Sequence, residues 1–239
     1  MKIRGDRECT VCGHRWSYYD TGSVECPDCG SLKSVGVDDR KEHTASPVTL
    51  ELTAVRDRIE DDPLRVLVED AADACRSYVR KQGFIDAGDL QPLGDTYLAA
   101  VELVHAATAV GRQMRTSDDE EYYVLDLLRG ADDGERPGPS IVPDSMRDAR
   151  GLAYATAVEE YSTDLRTYLD ENPDETARGV LSRIREHRKR VDALDGDVSL
   201  ADAEALVGAA QALGYYLAEG DETALAQAHH HLDTLDPGT

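Results

Sequence analysis

Cys9, Cys12, Cys26 and Cys29 are the residues of this sequence best placed to do chemistry. They form two Cys-x-x-Cys pairs, and a glycine, Gly13 or Gly30, follows each pair. A pair at this spacing wraps one edge of a tetrahedral metal ion, and the glycine admits the backbone turn that the wrap needs. Backbone N–H groups in such a turn point toward the sulfurs and orient them. Two pairs supply four soft anionic ligands, a set that zinc and iron both accept. The spacing predicts one structural Zn2+ held by all four thiolates, with no coordination position left open for a substrate. Disulfides or free thiols are the competing readings, and disulfides suit secreted chains. Residues Met1 to Glu8 lack the apolar stretch of a secretory leader, so a cytoplasmic protein is expected. Residues 1–42 are too few to bury a self-sufficient core. A structural zinc contributes about 10–16 kcal/mol to small units of this kind.

The elements that must hold the cysteines are short. Trp16 and Tyr18 alternate as on one strand face, Asp20 to Ser23 reads as a turn, and Ser34 to Val37 reads as a further strand. Three short antiparallel strands with two metal knuckles at one end follow. With these residues the N-terminus resembles the TFIIB-type zinc ribbons of transcription factors and of many archaeal proteins. The resemblance covers about residues 1–40 and implies that the four cysteines are zinc ligands. It also implies a macromolecular partner, protein or nucleic acid, met through the ribbon. Arg15 and Tyr18 are the candidate contact residues, since arginine and aromatic side chains anchor interfaces. Trp16, the only tryptophan, is assigned to the ribbon core.

The 239 residues carry 48 acids against 26 Lys and Arg, a formal net charge of −22. There are five lysines, Lys2, Lys33, Lys41, Lys81 and Lys189, and one phenylalanine, Phe84. Abundant acid, scarce lysine and small apolar residues resemble the proteins of extreme halophiles. Molar salt shortens the Debye length to roughly 3 Å and quiets repulsion among dense carboxylates. In dilute buffer the same charge destabilises the compact state. Residues 1–43 hold seven Lys and Arg against eight Asp and Glu, so nearly all of the negative charge lies beyond them. In such a chain this local departure from the acidic background matters more than the total.

Residues 43–48 read as a polar linker, and residues 49–239 read as an all-α domain of about seven or eight helices. Leu64, Leu67, Ala71, Cys75 and Tyr78 mark one apolar stripe; Tyr97, Val101, Val104 and Thr108 mark another. Ser117 with Glu120 is a capping box. Residues 130–143, rich in glycine and proline, are the main loop. A long helix starts near Met146, another near Pro173 and Glu175, another at Ser199, and a last one spans Leu225 to Leu235. The best apolar run, Tyr97 to Val110, is interrupted by Glu102 and His105, so no membrane span is expected.

Other constellations have ordinary structural uses. Arg183 to Arg190 is the densest basic stretch, and Arg185, Arg188 and Lys189 are its candidate partner-binding residues. The stretch also ends a helix whose first turn is acidic, which suits the helix dipole. Glu102 and His105 form one Glu-x-x-His pair. With an iron-bearing cysteine site it would resemble the rubrerythrins, an electron-transfer alternative that needs a second such pair, and none is present. His229, His230 and His231 fan around a helix and cannot converge on one ion. Cys75 sits on an apolar stripe as a core thiol. No phosphate loop or nucleophile motif is present, and no small-molecule substrate is evident. The expectation is a mainly α, non-enzymatic adaptor with a zinc-ribbon head.

Overall fold

The computed structural model describes residues 1–236. At the head, β2 (Asp6–Cys9) lies between β3 (Arg15–Ser17) and β4 (Ser34–Gly36) in an antiparallel sheet. The register sets Arg7 opposite Trp16 and Gly36, and Glu8 opposite Arg15 and Val35. Successive side chains point to opposite faces. Trp16 therefore turns inward to Cys9 and Cys26, while Glu8, Arg15 and Val35 share the outward face. A second ladder joins β1 (Lys2–Ile3) to β5 (Lys41–Glu42).

The expected strand through Tyr18 ends one residue earlier. Ser17 takes the N-cap of a one-turn helix, α1 (Tyr18–Thr21), and its Oγ accepts the Asp20 N–H at 3.3 Å. A serine that can satisfy a free helical N–H makes the turn cheaper than strand continuation. Tyr18 therefore leaves the sheet and lies half-buried, edge-on to His43 with ring centroids 6.2 Å apart.

The body is helical, as the periodicity requires. Its elements are α2 (Thr53–Arg56), α3 (Leu64–Val79), α4 (Asp95–Arg112), α5 (Asp118–Gly130), α6 (Arg147–Glu171), α7 (Glu175–Ala193), α8 (Leu200–Glu219) and α9 (Glu222–Leu235). α6 is the central post: α4, α7 and α8 pack on it, and α9 lies on α8. At the α6–α8 crossing a Cβ on Gly214 would stand 1.9 Å from the Tyr161 hydroxyl, so only glycine lets the two helices approach this closely. No helix of the described residues is long and apolar enough to cross a membrane.

Two features depart from an all-helical body behind a free linker. A hairpin, β6 (Ile85–Asp86) and β7 (Asp89–Leu90), interrupts the helices. Phe84 anchors it edge-on between Tyr97 and Tyr161, with centroids 4.9 and 4.8 Å away. The stretch expected as a linker is bonded to this hairpin. Thr44 N–H and Ala45 N–H both donate to Ile85 O, and Gly88 N–H donates to Glu42 O. Thr44 Oγ1 and Phe84 N–H both donate to Asp164 Oδ2 of α6, each at 2.6 Å. His43 is buried, which lowers its pKa; as a neutral ring it accepts the Ala87 N–H at Nδ1, 3.4 Å away.

The capping box of α5 forms as expected. Ser117 Oγ accepts the Glu120 N–H at 3.3 Å, and Glu120 Oε2 accepts the Ser117 N–H at 2.8 Å. Ser145 Oγ and Gln113 Nε2 donate to the other carboxylate oxygen at 2.5 and 2.9 Å. These donors, Ser145 first, hold the Glu120 carboxyl down at about 2 instead of 4.5. The native state therefore favours the ionised form, and the stabilisation is present above about pH 4.5 and lost as pH falls toward 2. Glu120→Gln should melt below the wild type at neutral pH, and the two melting curves should converge over that acid range. A gap that persists near pH 2 would contradict the assignment. Ser117→Ala should cost about 1 kcal/mol as a lost cap.

Candidate metal centre

Each cysteine pair is held by the same backbone device. In the first knuckle Cys9 N–H donates to His14 O at 2.8 Å, and Gly13 N–H donates to Cys9 O at 2.9 Å. In the second, Cys26 N–H donates to Ser31 O and Gly30 N–H to Cys26 O, both at 2.9 Å. Gly13 and Gly30 have φ of 78° and 70°, the left-handed region where a side chain is strained. Thr10 N–H donates to Lys33 O at 3.0 Å and ties one knuckle to the other.

The four Sγ atoms lie within 4.8 Å of one another. Cys9 and Cys29 are 3.7 Å apart, Cys12 and Cys26 3.6 Å. A disulfide needs about 2.05 Å, and all four thiols are free. Four sulfurs around an ion at about 2.3 Å would stand about 3.8 Å apart, so the spacing fits a tetrahedral S4 site. Cys9 and Cys26 are buried and Cys12 and Cys29 face outward. Trp16 closes the inner side, its indole N–H donating to Ser23 O at 3.0 Å.

The acidities follow from the crowding. The Cys12 N–H, with the Val11 N–H 3.4 Å from Sγ, outweighs burial and lowers Cys9 to about 6. Cys12 feels the His14 N–H, which favours its thiolate. Burial and the sulfurs around it prevail and push it up to about 12. The Cys9 thiolate thus forms readily, and a cation among the sulfurs favours the thiolate of Cys12 against this crowding. Bound there, a metal ion acts as a structural cross-link, because four thiolates fill a tetrahedron.

The remaining candidates are dispersed. Arg15 is exposed on the outward sheet face, its Nε and Nη2 each 2.6 Å from Glu8 Oε2. Tyr18 sits at the junction with the body, apart from Arg15. Arg188 is held by Glu159 of α6 at 2.6 Å and by Asp192, so it is not a presented cation. Arg183 and His187 of the same stretch bind Asp236, at 2.8 and 3.2 Å. Arg185 and Lys189 make no ion pair among the described residues. Their helix packs on α6, α8 and α9, away from the sheet.

Glu102 and His105 face different partners: Tyr123 donates to Glu102 at 2.6 Å, and His105 Nε2 is 3.3 Å from Thr156 Oγ1. Cys75 is fully buried, and burial pushes its thiol up to about 12, so it is inert. Among the described residues the four cysteines are the one group of three or more ligand-type side chains close enough to share an ion.

Sequence reading missed the buried Glu102–Arg150 pair.

Fold and site together define a protein with a tetracysteine, metal-competent head on a mainly helical body. The chain belongs to DUF7117, a family of unknown function, whose profile matches residues 1–232. No curated protein and no solved structure matches it.

Proposed function

We propose that the head is a zinc ribbon and that the protein is a non-enzymatic adaptor, with the ribbon gripping a macromolecule of the transcription or nucleic-acid machinery. The observation that carries this reading is apolar exposure on the head. Val11 and Leu32, beside the two knuckles, are 64% and 71% exposed, and Val35 on the outward sheet face is 50% exposed. A small module that leaves aliphatic side chains in water at its metal end has a surface suited to a partner. The near-neutral charge of the head supports the same reading, since a strongly acidic face would repel nucleic acid and acidic proteins alike. Zinc is favoured over the rubrerythrin-like alternative because that reading needs a second, carboxylate-rich di-iron site beside the cysteines, and Glu102 and His105 face different partners.

The test is chemical crosslinking and pulldown of the affinity-tagged full chain from a cell extract at molar KCl, where the acidic body is least self-repelled. The wild type should recover a defined partner that Leu32→Asp with Val35→Asp loses. Nuclease treatment then separates nucleic acid from protein. Equal recovery by both forms would remove the ribbon from the interaction.

A further inference from the structure

Glu159 of α6 meets Arg188 of α7 at 2.6 Å, and Asp170 stands 3.6 Å from Arg178, so the two helices run antiparallel. The same register sets Arg166 level with Ser182, with Arg178 about one turn to one side and Arg185 about one turn to the other. These four residues line a groove of 150 Å3 together with the buried Leu169 and Leu181. Three arginines thus face one acid, Asp170. Arg178 Nη2 also donates to Leu169 O at 2.7 Å, which fixes it at the rim. Arg166 and Arg185 make no ion pair and no side-chain hydrogen bond among the described residues, although Arg185 is half-buried. Elsewhere on α7 the acids of this chain take up the arginines: Arg183 binds Asp233 and Asp236, and Arg188 binds Glu159 and Asp192. Two guanidiniums without an acceptor in one groove stand out in a molecule of net charge −22.

The groove continues as a basic stripe. Arg178, Ser182, Arg185 and Lys189 recur at helical spacing on α7, so they share one face, and none of them is an acid. Glu186 falls about 100° round the helix from Arg185. At 1.5 Å per residue the stripe is about 16 Å long, which an extended peptide spans in about five residues. Arginine forks receive carboxylates through paired hydrogen bonds. A nucleic-acid single strand also presents anions in a row, but its sites stack bases on aromatic rings, and no aromatic residue lines this groove. A duplex would bring dense phosphate charge against the acidic helices.

We infer that the α6–α7 groove docks an acidic peptide segment of a partner protein, extended along α7 with its carboxylates on Arg166, Arg178, Arg185 and Lys189. The groove belongs to the helical body, apart from the cysteines and from the outward sheet face, so it stands or falls independently of the ribbon's partner.

The test is fluorescence anisotropy on the full chain with three labelled probes: a glutamate-rich peptide, its glutamine counterpart and an oligothymidylate of matching length. The KCl range is one over which far-UV ellipticity stays native. The glutamate peptide should saturate one site and weaken as KCl rises, and the glutamine peptide should not bind. Arg166→Gln with Arg185→Gln removes unpaired charges, so ellipticity should stay unchanged. Affinity should fall roughly tenfold or more, as loss of charge-assisted hydrogen bonds implies. Ser182→Asp, which sets a carboxylate at an exposed point of the groove, should weaken binding as well. Arg112→Gln with Arg115→Gln removes the same charge from exposed arginines outside the groove and should bind as the wild type does. The proposal is overturned if the glutamate peptide does not saturate, if the glutamine peptide matches it, or if the groove variants bind normally. It is equally overturned if the variant at Arg112 and Arg115 is as impaired as the groove pair. Tighter binding of the oligothymidylate, lost in the groove pair, would overturn it in favour of nucleic acid. A wild-type dimer in sedimentation that the groove pair dissolves would overturn it in favour of a second copy.

Discussion

Replacing Cys9 and Cys26 by serine should abolish stoichiometric metal and unfold the head while the body keeps its helices. The head's buried apolar cluster consists of Cys9, Trp16 and Cys26, so two of its three members are themselves sulfur ligands. Nothing else in residues 1–42 can offset the entropy of ordering them, on the order of 1–2 kcal/mol per residue for the backbone alone. Zinc binding, worth about 10–16 kcal/mol in comparable peptides, can make the difference. The body's core is a separate cluster running from Leu50 to Leu235.

The sole tryptophan makes the experiment clean. Trp16 is 8% exposed, and its emission reports the head alone. The wild type should contain one equivalent of zinc and show the blue-shifted emission of a buried indole. The double variant should contain none and emit as an exposed indole, with nearly unchanged far-UV ellipticity. Exhaustive chelation should reproduce the variant. Native emission from metal-free protein would sink the structural role of the ion. A coloured protein with iron in place of zinc would move the function toward electron transfer.

The second large effect is expected at Arg150, which is 2% exposed between α4, α6 and α8. Its Nε donates to the Tyr154 hydroxyl at 2.9 Å, its Nη1 to Pro137 O at 2.9 Å and its Nη2 to Glu204 Oε1 at 2.8 Å. Nη1 also stands 3.6 Å from the fully buried Glu102. Burial raises the Glu102 pKa, and Arg150 with the Tyr123 hydroxyl opposes that rise. Arg150→Met leaves Glu102 uncompensated, a loss of about 3–5 kcal/mol for a broken buried pair. For a chain of this size that is a fall in Tm of roughly 6–20 °C.

The sign of the pH dependence is fixed. Without Arg150 the folded pKa of Glu102 rises further above its unfolded value. The variant is then least impaired below the ordinary carboxylate range, and it loses stability as pH rises through the folded pKa. Glu102→Gln in the same background should recover part of the loss and flatten the pH profile. An Arg150→Met protein that melts with the wild type at neutral pH would show that the pair is not coupled in the native state.

What the sequence revealed follows from how local each signal is. The cysteine pairs were legible because a knuckle is built within five residues. The helices were legible because their apolar stripes and caps, such as Ser117 and Ser199, are also local. The β1–β5 ladder was not, since each strand is two residues long and its partner lies at the other end of the head. The hairpin at 85–90 was missed for a different reason. Its turn carries Ala87 at φ 52°, where asparagine or glycine is the usual signal. Arg188 was read as a presented cation because helical periodicity does not show that Glu159 of another helix lies against it. Tyr18 was read into a strand because alternation over three residues cannot outvote a serine cap.

The clasp of Thr44 and Phe84 on Asp164 has a mechanical consequence. Because the joint between head and body is bonded on both sides, the head is mounted at a set angle and does not swing on a tether. Anything seized at the outer sheet would meet the acidic helices from one direction only, and a pull on it would be passed straight into the long central helix.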